Sequence, residues 1–218
     1  MSTVQRPAGT VLVDELVALG ATRYYGVPGE SFLAVLEALR AEPRARLIST
    51  RHESGASFMA EADAKLTGIP AVAMATRAPG AANLAIGVHT AWHDSTPLIA
   101  LIGQVEARWY GSGLCFQEID LEAFYRPFTK WQATLAHAGE ARRLARKAMA
   151  VATSGRPGPV VIALPNDVLA KDGEAPADLG ARVEGARRAS EAEVSALAER
   201  LGSARAPVCI VGGRCRGS

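Results

Sequence analysis

LIALI, residues 98–102, is the most apolar run of the chain, and two similar runs, AVAMA at 71–75 and VVIAL at 160–164, accompany it. Strands with one solvent-exposed face alternate apolar and polar residues, whereas strands that are buried on both faces of a parallel sheet are apolar throughout. The three runs therefore predict buried parallel strands, with residues 98–102 at the centre of the sheet.

The segments between these runs have the spacing of amphipathic helices. Helices are predicted over about residues 11–19, 53–66, 80–92 and 139–152, with Gly20 as a C-terminal cap after the first. Two shorter strands are predicted at residues 24–27 and 47–49. Alternating strands and helices predict a doubly wound α/β domain with helices on both faces and with ligands bound at the carboxyl ends of the strands.

The character of the sequence changes near residue 170. We assign residues 1–170 to the α/β domain and residues 171–189, KDGEAPADLGARVEGARRA, to a polar linker. Ser190 and Glu193 form a capping-box pattern that predicts a helix to about residue 201, and residues 208–211 are expected to form a strand. Residues 190–218 are therefore interpreted as the incomplete start of a second α/β domain, in a truncated protein or a subunit of a split enzyme.

Composition excludes several classes of protein. Of 218 residues, 49% are hydrophobic and 21% charged, and the net charge of +2 comes from scattered basic residues, so no nucleic-acid surface is indicated. Three cysteines without CxxC spacing indicate neither a disulfide framework nor a metal site. Neither a signal peptide nor an apolar run of membrane-spanning length is present, so a cytoplasmic location without membrane contact is expected.

Three loops that follow predicted strands carry candidate functional residues. They are GVPGES at 26–31, TRHE at 50–53 and APGAAN at 78–83. Taken singly, Gly-Pro turns are common connectors, and a glutamate in a first helical turn complements the helix dipole. The G-x-G-x-x-G loop of a dinucleotide-binding fold is absent after the first strand.

Taken together, the loops resemble the N-terminal, pyrimidine-binding domain of the acetolactate synthase family of thiamine-diphosphate enzymes. The resemblance extends over nearly all of residues 10–170, and even residues 204–213 resemble the first strand of the family's middle domain. The matching blocks are YGVPGES (25–31), RHESGASFMAEADAKLTG (51–68), TRAPGAANLAIGVHTAWHDSTPLIALIGQV (76–105), FQEID (116–120) and SGRPGPVVIALPNDV (154–168).

The resemblance implies roles for individual residues. Glu53 matches the family's glutamate that hydrogen-bonds the pyrimidine N1′ of the cofactor and so promotes loss of the thiazolium C2 proton. The other matches are Pro28 and Gly29 against the cofactor's bent waist, Pro79, Gly80 and Asn83 lining the pyrimidine pocket, and Phe116 and Gln117 facing the reacting carbon and the 2-oxo acid.

Arg156 matches the arginine that contacts FAD in flavin-containing members of the family, so FAD is a further candidate cofactor. The surrounding SGRPGPV is also a structural turn in members without flavin, and we favour that interpretation. In the family the diphosphate and Mg²⁺ are held by a separate C-terminal domain with a Gly-Asp-Gly…Asn motif, which this sequence lacks. No metal ligand is therefore assigned, and the chain alone is expected to be inactive.

The family also implies a partner, because its active glutamate works on cofactor held by another subunit. A second subunit or the C-terminal domain is expected as partner, in a homodimer or homotetramer of the complete enzyme. Two departures from the family pattern concern the substrate: RAPGAAN (77–83) replaces Ser-Gly-Pro-Gly-Ala-Thr-Asn, and Glu30-Ser31 replaces Gly-Ala. A decarboxylase, another carboligase, a split 2-oxo-acid decarboxylase and a non-catalytic binding or interaction module stay open as alternatives.

Overall fold

A parallel sheet of six strands forms the centre of the larger unit in the computed structural model, which describes residues 3–176 and 189–212. The chain divides into two units, Met1–Val183 and Glu184–Ser218. The strands are β1 (Thr3–Pro7), β2 (Arg23–Gly26), β3 (Arg46–Ser49), β4 (Ala71–Thr76), β5 (Leu98–Gln104), β6 (Trp131–Thr134), β7 (Pro159–Pro165) and β8 (Asp172–Pro176).

Helices connect most of these strands. They are α1 (Ala8–Ala18), α2 (Leu33–Ala41), α3 (Glu53–Thr67), α4 (Arg77–His93), α5 (Leu121–Tyr125), α6 (Ala141–Thr153), α7 (Asn166–Leu169) and α8 (Glu191–Ser203), with 3₁₀ turns at Glu30–Phe32, Arg126–Phe128 and Ala138–Glu140. None of the helices within the described ranges is both long and apolar enough to cross a membrane.

The sheet has the strand order β3-β2-β4-β5-β7-β6, and every neighbouring pair is parallel. Strands β4 and β5 lie at its centre, and every residue of β5 and β7 is buried. The predicted doubly wound sheet and the central position of residues 98–102 are thus confirmed. The edge strands β3 and β6 are only partly buried, which fits their less apolar sequences.

The two faces of the sheet carry side chains of different size. Valine, leucine, isoleucine and methionine side chains from the strands pack against α1, α2 and α6 on one face. On the other face, the strands present many alanines to α3, α4 and α5: Ala71, Ala73, Ala75, Ala100 and Ala163. Small side chains allow helices to approach the sheet closely, so α3 and α4 pack close to the sheet on the face that leads to the candidate site.

The structure differs from the sequence prediction at the first residues of the expected linker. Asp172–Pro176 form β8 and pair with β1 in an antiparallel ribbon separate from the main sheet. Backbone hydrogen bonds hold this pair, so its polar sequence gave no apolar signal. The rest of the expected linker, residues 177–188, lies outside the described residues, and the boundary of the domain stays a prediction.

The second unit contains the predicted helix α8. Its capping box is present, because Ser190 Oγ accepts the Glu193 N–H at 3.2 Å and the Glu193 carboxylate accepts the Ser190 N–H at 2.7 Å. Residues 208–211 are exposed and are not a strand, contrary to expectation, since no neighbouring strand among the described residues pairs with them. Their assignment to a second α/β domain stays a prediction.

Candidate functional site

The three candidate segments lie side by side at one edge of the sheet, and residues 78–83 form the first turns of α4, which begins directly after β4. They follow β2, β3 and β4, which are neighbours in the order β3-β2-β4, and parallel strands end at the same edge. Ligands of open α/β sheets bind at this carboxyl edge. The structure therefore brings the loops together where the fold class predicts a ligand site.

Glu53 is the first residue of α3 and is half-buried. The preceding residue, His52, caps the helix through its Nδ1, which accepts the Ser54 N–H at 3.2 Å. Across the site, Asn83 Nδ2 donates a hydrogen bond of 3.0 Å to Glu53 Oε2. Two of the predicted site residues, 30 positions apart in the chain, are thus in direct contact.

Gly80 lies in the first turns of α4, directly against the Glu53 carboxylate. A Cβ atom at position 80 would lie 3.2 Å from Glu53 Oε1 and 3.2 Å from the Cβ of Ala75. The missing side chain therefore creates the space that the carboxylate occupies. Pro79, the preceding residue, is exposed at the same end of the helix.

Gly29 is required by an equally close approach on the neighbouring loop. A Cβ at this position would lie 1.7 Å from Thr76 Oγ1, although the backbone, with φ −147° and ψ 155°, is extended. The Pro28–Gly29 segment is therefore pressed against the end of β4. Thr76 Oγ1 is buried and has no hydrogen-bond partner among the described residues.

Phe116 and Gln117 lie in the loop between β5 and α5. Phe116 is 76% exposed. Gln117 has a φ of +62°, and its carbonyl accepts the Ala78 N–H at 3.0 Å, at the start of α4. The loop thus meets the N-terminal end of the same helix that carries Gly80 and Asn83.

Arg156 lies at the opposite end of α4. Its guanidinium donates to Ser95 Oγ at 2.8 Å and to the carbonyls of Trp92 and His93 at 2.9 and 3.1 Å, where α4 ends. At about 1.5 Å of rise per residue, His93 lies about 15 Å along the helix axis from Asn83. Arg156 is therefore not grouped with the other predicted site residues.

One contact at the site joins two residues that the sequence pointed out only as separate departures. Arg77 NH2 lies 3.1 Å from Glu30 Oε1, so the two form an ion pair between the segment after β2 and the first residue of α4. The Arg77 side chain is only 16% exposed, its Nε has no partner among the described residues, and its φ is +48°. The sequence could have indicated this contact only because Glu30 and Arg77 follow two strands that are neighbours in the sheet.

The side chains at this edge supply a carboxylate held by an amide, glycines that allow close approach, and a buried hydroxyl. A flat heterocycle with ring nitrogens fits such a set, since the Glu53 oxygen that does not accept from Asn83 can face a ring nitrogen. Among the residues described, no group of three or more His, Cys, Asp or Glu side chains is arranged to hold a metal ion.

The chain is similar to known proteins over most of its length. The family model of the thiamine pyrophosphate enzyme N-terminal TPP binding domain matches residues 6–124. The acetolactate synthase isozyme 1 large subunit of Escherichia coli is 39% identical over 97% of this chain and 38% of its own length. The mitochondrial acetolactate synthase catalytic subunit of Aspergillus candidus is 33% identical over 97% of this chain and 32% of its own length.

A probable acetolactate synthase large subunit of Methanocaldococcus jannaschii is 39% identical over 75% of this chain and 27% of its own length. The chain thus spans about a third of the length of the curated relatives it matches. The family match covers more than half of the chain and includes Glu53, Gly80 and Asn83. The chain therefore belongs to the family of N-terminal thiamine-pyrophosphate-binding domains of thiamine pyrophosphate enzymes, of the acetolactate synthase-like type.

Proposed function

We propose that this chain forms the pyrimidine side of a thiamine-diphosphate site in an enzyme that acts on 2-oxo acids by decarboxylation and carboligation. The observation that carries the proposal is the contact of Asn83 with Glu53 at the carboxyl edge of the sheet. When bound, thiamine diphosphate supplies a carbon nucleophile that adds to the carbonyl of a 2-oxo acid. Whether the reaction ends in decarboxylation or in carboligation stays open.

Glu53 is the group placed to exchange a proton with the cofactor. Asn83 fixes its Oε2, and no hydrogen bond to Oε1 is formed within the described residues, so Oε1 is the atom that would exchange a proton with the pyrimidine ring nitrogen. The bond from Asn83 fixes the orientation of the carboxylate, because rotation away from the ring would break it. Gly80 leaves room for Oε1 in this position, since a Cβ there would lie 3.2 Å from it.

The segment that contains Pro28 and Gly29 would contact the cofactor, and the 2-oxo acid would lie next to the cofactor, near Phe116 and Gln117. Gly29 allows the Pro28–Gly29 segment to pack against Thr76, whose buried hydroxyl has no hydrogen-bond partner among the described residues. Phe116 is exposed at the same end of α4 and would face the substrate together with Gln117. These assignments follow the family resemblance and the shared location of the residues.

For Arg156 we propose the packing role and not a contact with FAD, because its guanidinium already donates to Ser95 and to two carbonyls at the end of α4. The diphosphate and Mg²⁺ are proposed to be held by another domain or subunit, since Mg²⁺ needs a near-octahedral set of oxygen ligands. The relatives are named as large and catalytic subunits, which supports a partner subunit. A homodimer or homotetramer and a cytoplasmic location remain proposals.

The proposal is tested by titrating the ¹⁵N-labelled chain with thiamine diphosphate and Mg²⁺ and recording amide chemical shifts. We expect weak binding that shifts the Gly80 amide and the Asn83 side-chain amide. Glu53→Gln should remove these shifts while the rest of the spectrum is unchanged. Glu37→Gln, a carboxylate paired with Arg40 on the exposed face of α2, is the matched control and should behave as wild type.

Two outcomes would count against the proposal. Shifts confined to other parts of the chain, or equal shifts in Glu53→Gln, would show that the cofactor does not meet Glu53. Tight, saturable binding by the chain alone would favour the alternative of a dedicated binding module, because a half-site lacks the diphosphate contacts that give the family its affinity.

A further inference from the structure

Glu118 follows Phe116 and Gln117 in the FQEID block, and its carboxylate organises the loop that carries them. It accepts hydrogen bonds from the backbone N–H of Gly111, from Gly113 N–H at 3.0 Å and from Cys115 N–H at 3.4 Å. The Ser112 hydroxyl donates a further bond to it, at 3.2 Å. We call this arrangement, residues 111–115 around Glu118, the Glu118 clasp.

The backbone of the clasp is shaped for an anion. Gly111 and Gly113 have φ values of +86° and +69°, the left-handed region that glycine adopts without steric cost. Alternating left-handed and ordinary residues turn successive N–H groups towards one point, as in the backbone nests that bind anions. Here the anion is the side chain of the same loop.

The charge of Glu118 is kept by these bonds. Burial by itself raises the pKa of the carboxyl, but the donors from Gly111, Cys115, Ser112 and Gly113 together hold its pKa below the usual range. The carboxyl is therefore ionised at neutral pH. Hydrogen bonds to an ionised acceptor are about twice as strong as neutral ones, so the clasp restrains a loop that is otherwise exposed.

Both ends of the loop are fastened to the core as well. At one end, Ala107 N–H donates to Asp167 Oδ1 at 2.8 Å. At the other, the buried Gln104 donates its Nε2 to the Ile119 carbonyl at 2.8 Å. The clasp fixes the stretch between these anchors, which contains Phe116 and Gln117.

The clasp also reaches α4 through Gln117. A φ of +62° is unfavourable for glutamine and persists only where neighbouring groups enforce it. The clasped Glu118 follows Gln117 directly, and the Gln117 carbonyl, in the peptide between the two residues, accepts the Ala78 N–H. Release of Glu118 therefore removes one of the two restraints that hold Gln117 against the start of α4.

We propose that Glu118 is a positioning residue, which acts through the clasp to hold Phe116 and Gln117 against the N-terminal end of α4. The inference rests on the proposed function for its consequence, since it is there that the 2-oxo acid would lie. Its structural content, the link from Glu118 to Ala78, does not depend on the cofactor.

The test compares amide hydrogen exchange by NMR in the full 218-residue chain and in Glu118→Gln. The carboxamide has the same shape but is neutral and turns an NH₂ group towards the N–H donors. Exchange at Gly113 and Cys115 should accelerate about tenfold, the factor expected from losing a charge-assisted hydrogen bond. Exchange at Ala78 should accelerate about threefold, because its acceptor is no longer held in place.

Two further variants make the result specific. Glu106→Gln changes a carboxylate of the same loop that pairs with the Arg108 side chain, and it should leave Gly113, Cys115 and Ala78 unchanged. Ser112→Ala removes one donor of the clasp without changing its charge and should give a smaller acceleration. Unchanged exchange at the buried Leu84 and Leu101 would show that each variant is folded.

Either of two results would overturn the inference. Unchanged exchange at Gly113 and Cys115 in Glu118→Gln would show that the carboxylate does not restrain the loop. Faster exchange there with an unchanged Ala78 would show that the clasp is local and does not position Gln117. The cofactor titration is a separate readout, so a failure of the proposed function would leave the exchange result intact.

Discussion

Three glycines of α3 and α4 test whether the structure places the helices and Glu53 correctly, because the same change to alanine meets three different surroundings. Alanine is favoured over glycine inside a helix by about 0.5–1 kcal/mol. At Gly55, in α3, a Cβ has nothing within 4 Å. Gly55→Ala should therefore stabilise the protein by roughly that amount.

At Gly87 of α4 the new Cβ would lie 2.3 Å from Ser57 Oγ and 2.8 Å from the Ser57 carbonyl carbon. The hydroxyl can rotate, but the backbone atom cannot, so α3 and α4 must move apart. Overpacking of this kind costs about 1–3 kcal/mol. Gly87→Ala should be the least stable of the three variants, in spite of its helix propensity.

At Gly80 the new Cβ would lie 3.2 Å from both Glu53 Oε1 and Ala75 Cβ, so the carboxylate must shift by a few tenths of an ångström. The helix gain and the strained bond from Asn83 should offset each other to within about 1 kcal/mol. Folding stability is then nearly unchanged, while the response of Asn83 to thiamine diphosphate is reduced.

Urea unfolding followed by circular dichroism measures the three stabilities, and the NMR titration measures the cofactor response. Equal stability of Gly87→Ala and Gly55→Ala would refute the close crossing of α3 and α4. A wild-type cofactor response in Gly80→Ala would refute the idea that this glycine sets the position of the Glu53 carboxylate.

Three further predictions concern single side chains. Tyr125→Phe removes a buried hydrogen bond of 2.6 Å to the Ala81 carbonyl and should lower the free energy of unfolding by about 0.5–1.5 kcal/mol. Tyr24→Phe removes a buried hydroxyl that has no partner among the described residues, so it should leave the stability unchanged or raise it. Urea midpoints in the reverse order would contradict this prediction. A hydrogen bond from Arg44 lowers the pKa of Glu42 to about 2, below the value of about 4.3 in the unfolded chain. The ionised Glu42 therefore stabilises the fold fully above pH 4.3, and this stabilisation is lost as the pH falls towards 2. Glu42→Gln should flatten the pH dependence of the free energy of unfolding in that window, and an unchanged slope would rule the pairing out. Arg156→Ala should destabilise the end of α4 by about 1 kcal/mol, seen as faster exchange of its last amides, with an unaltered response to thiamine diphosphate.

The sequence predicted those parts of the fold that are buried on both sides. Strands β4, β5 and β7 have continuous apolar runs because helices cover both faces, and each was predicted to within two residues. Strand β6 was not predicted, because WQAT at a partly buried edge has no apolar run. The β1–β8 ribbon was not predicted either, because its pairing depends on backbone hydrogen bonds. A continuous apolar run in the sequence therefore indicates that a strand is buried, and strands that are not buried lack this pattern.

The candidate site divides in a similar way. Glu53, Gly80 and Asn83 could be placed together from their motifs, because α3 and α4 begin at one edge of the sheet. The role of Glu118 could not, since its contacts depend on left-handed backbone at Gly111 and Gly113, which no periodicity predicts. Contacts that depend on loop conformation require coordinates.

The pair of Glu30 and Arg77 shows why departures from a family pattern should not be interpreted one position at a time. Taken singly, each replaces a small residue by a charged one and points only to an altered substrate. In the structure they are one unit, in which a largely buried guanidinium at φ +48° meets an exposed carboxylate on the next loop. A small residue restored at position 30 alone would leave the Arg77 guanidinium, whose side chain is only 16% exposed, without this acceptor. The contribution of these two departures to the site is therefore a property of the pair, and only a double substitution isolates it.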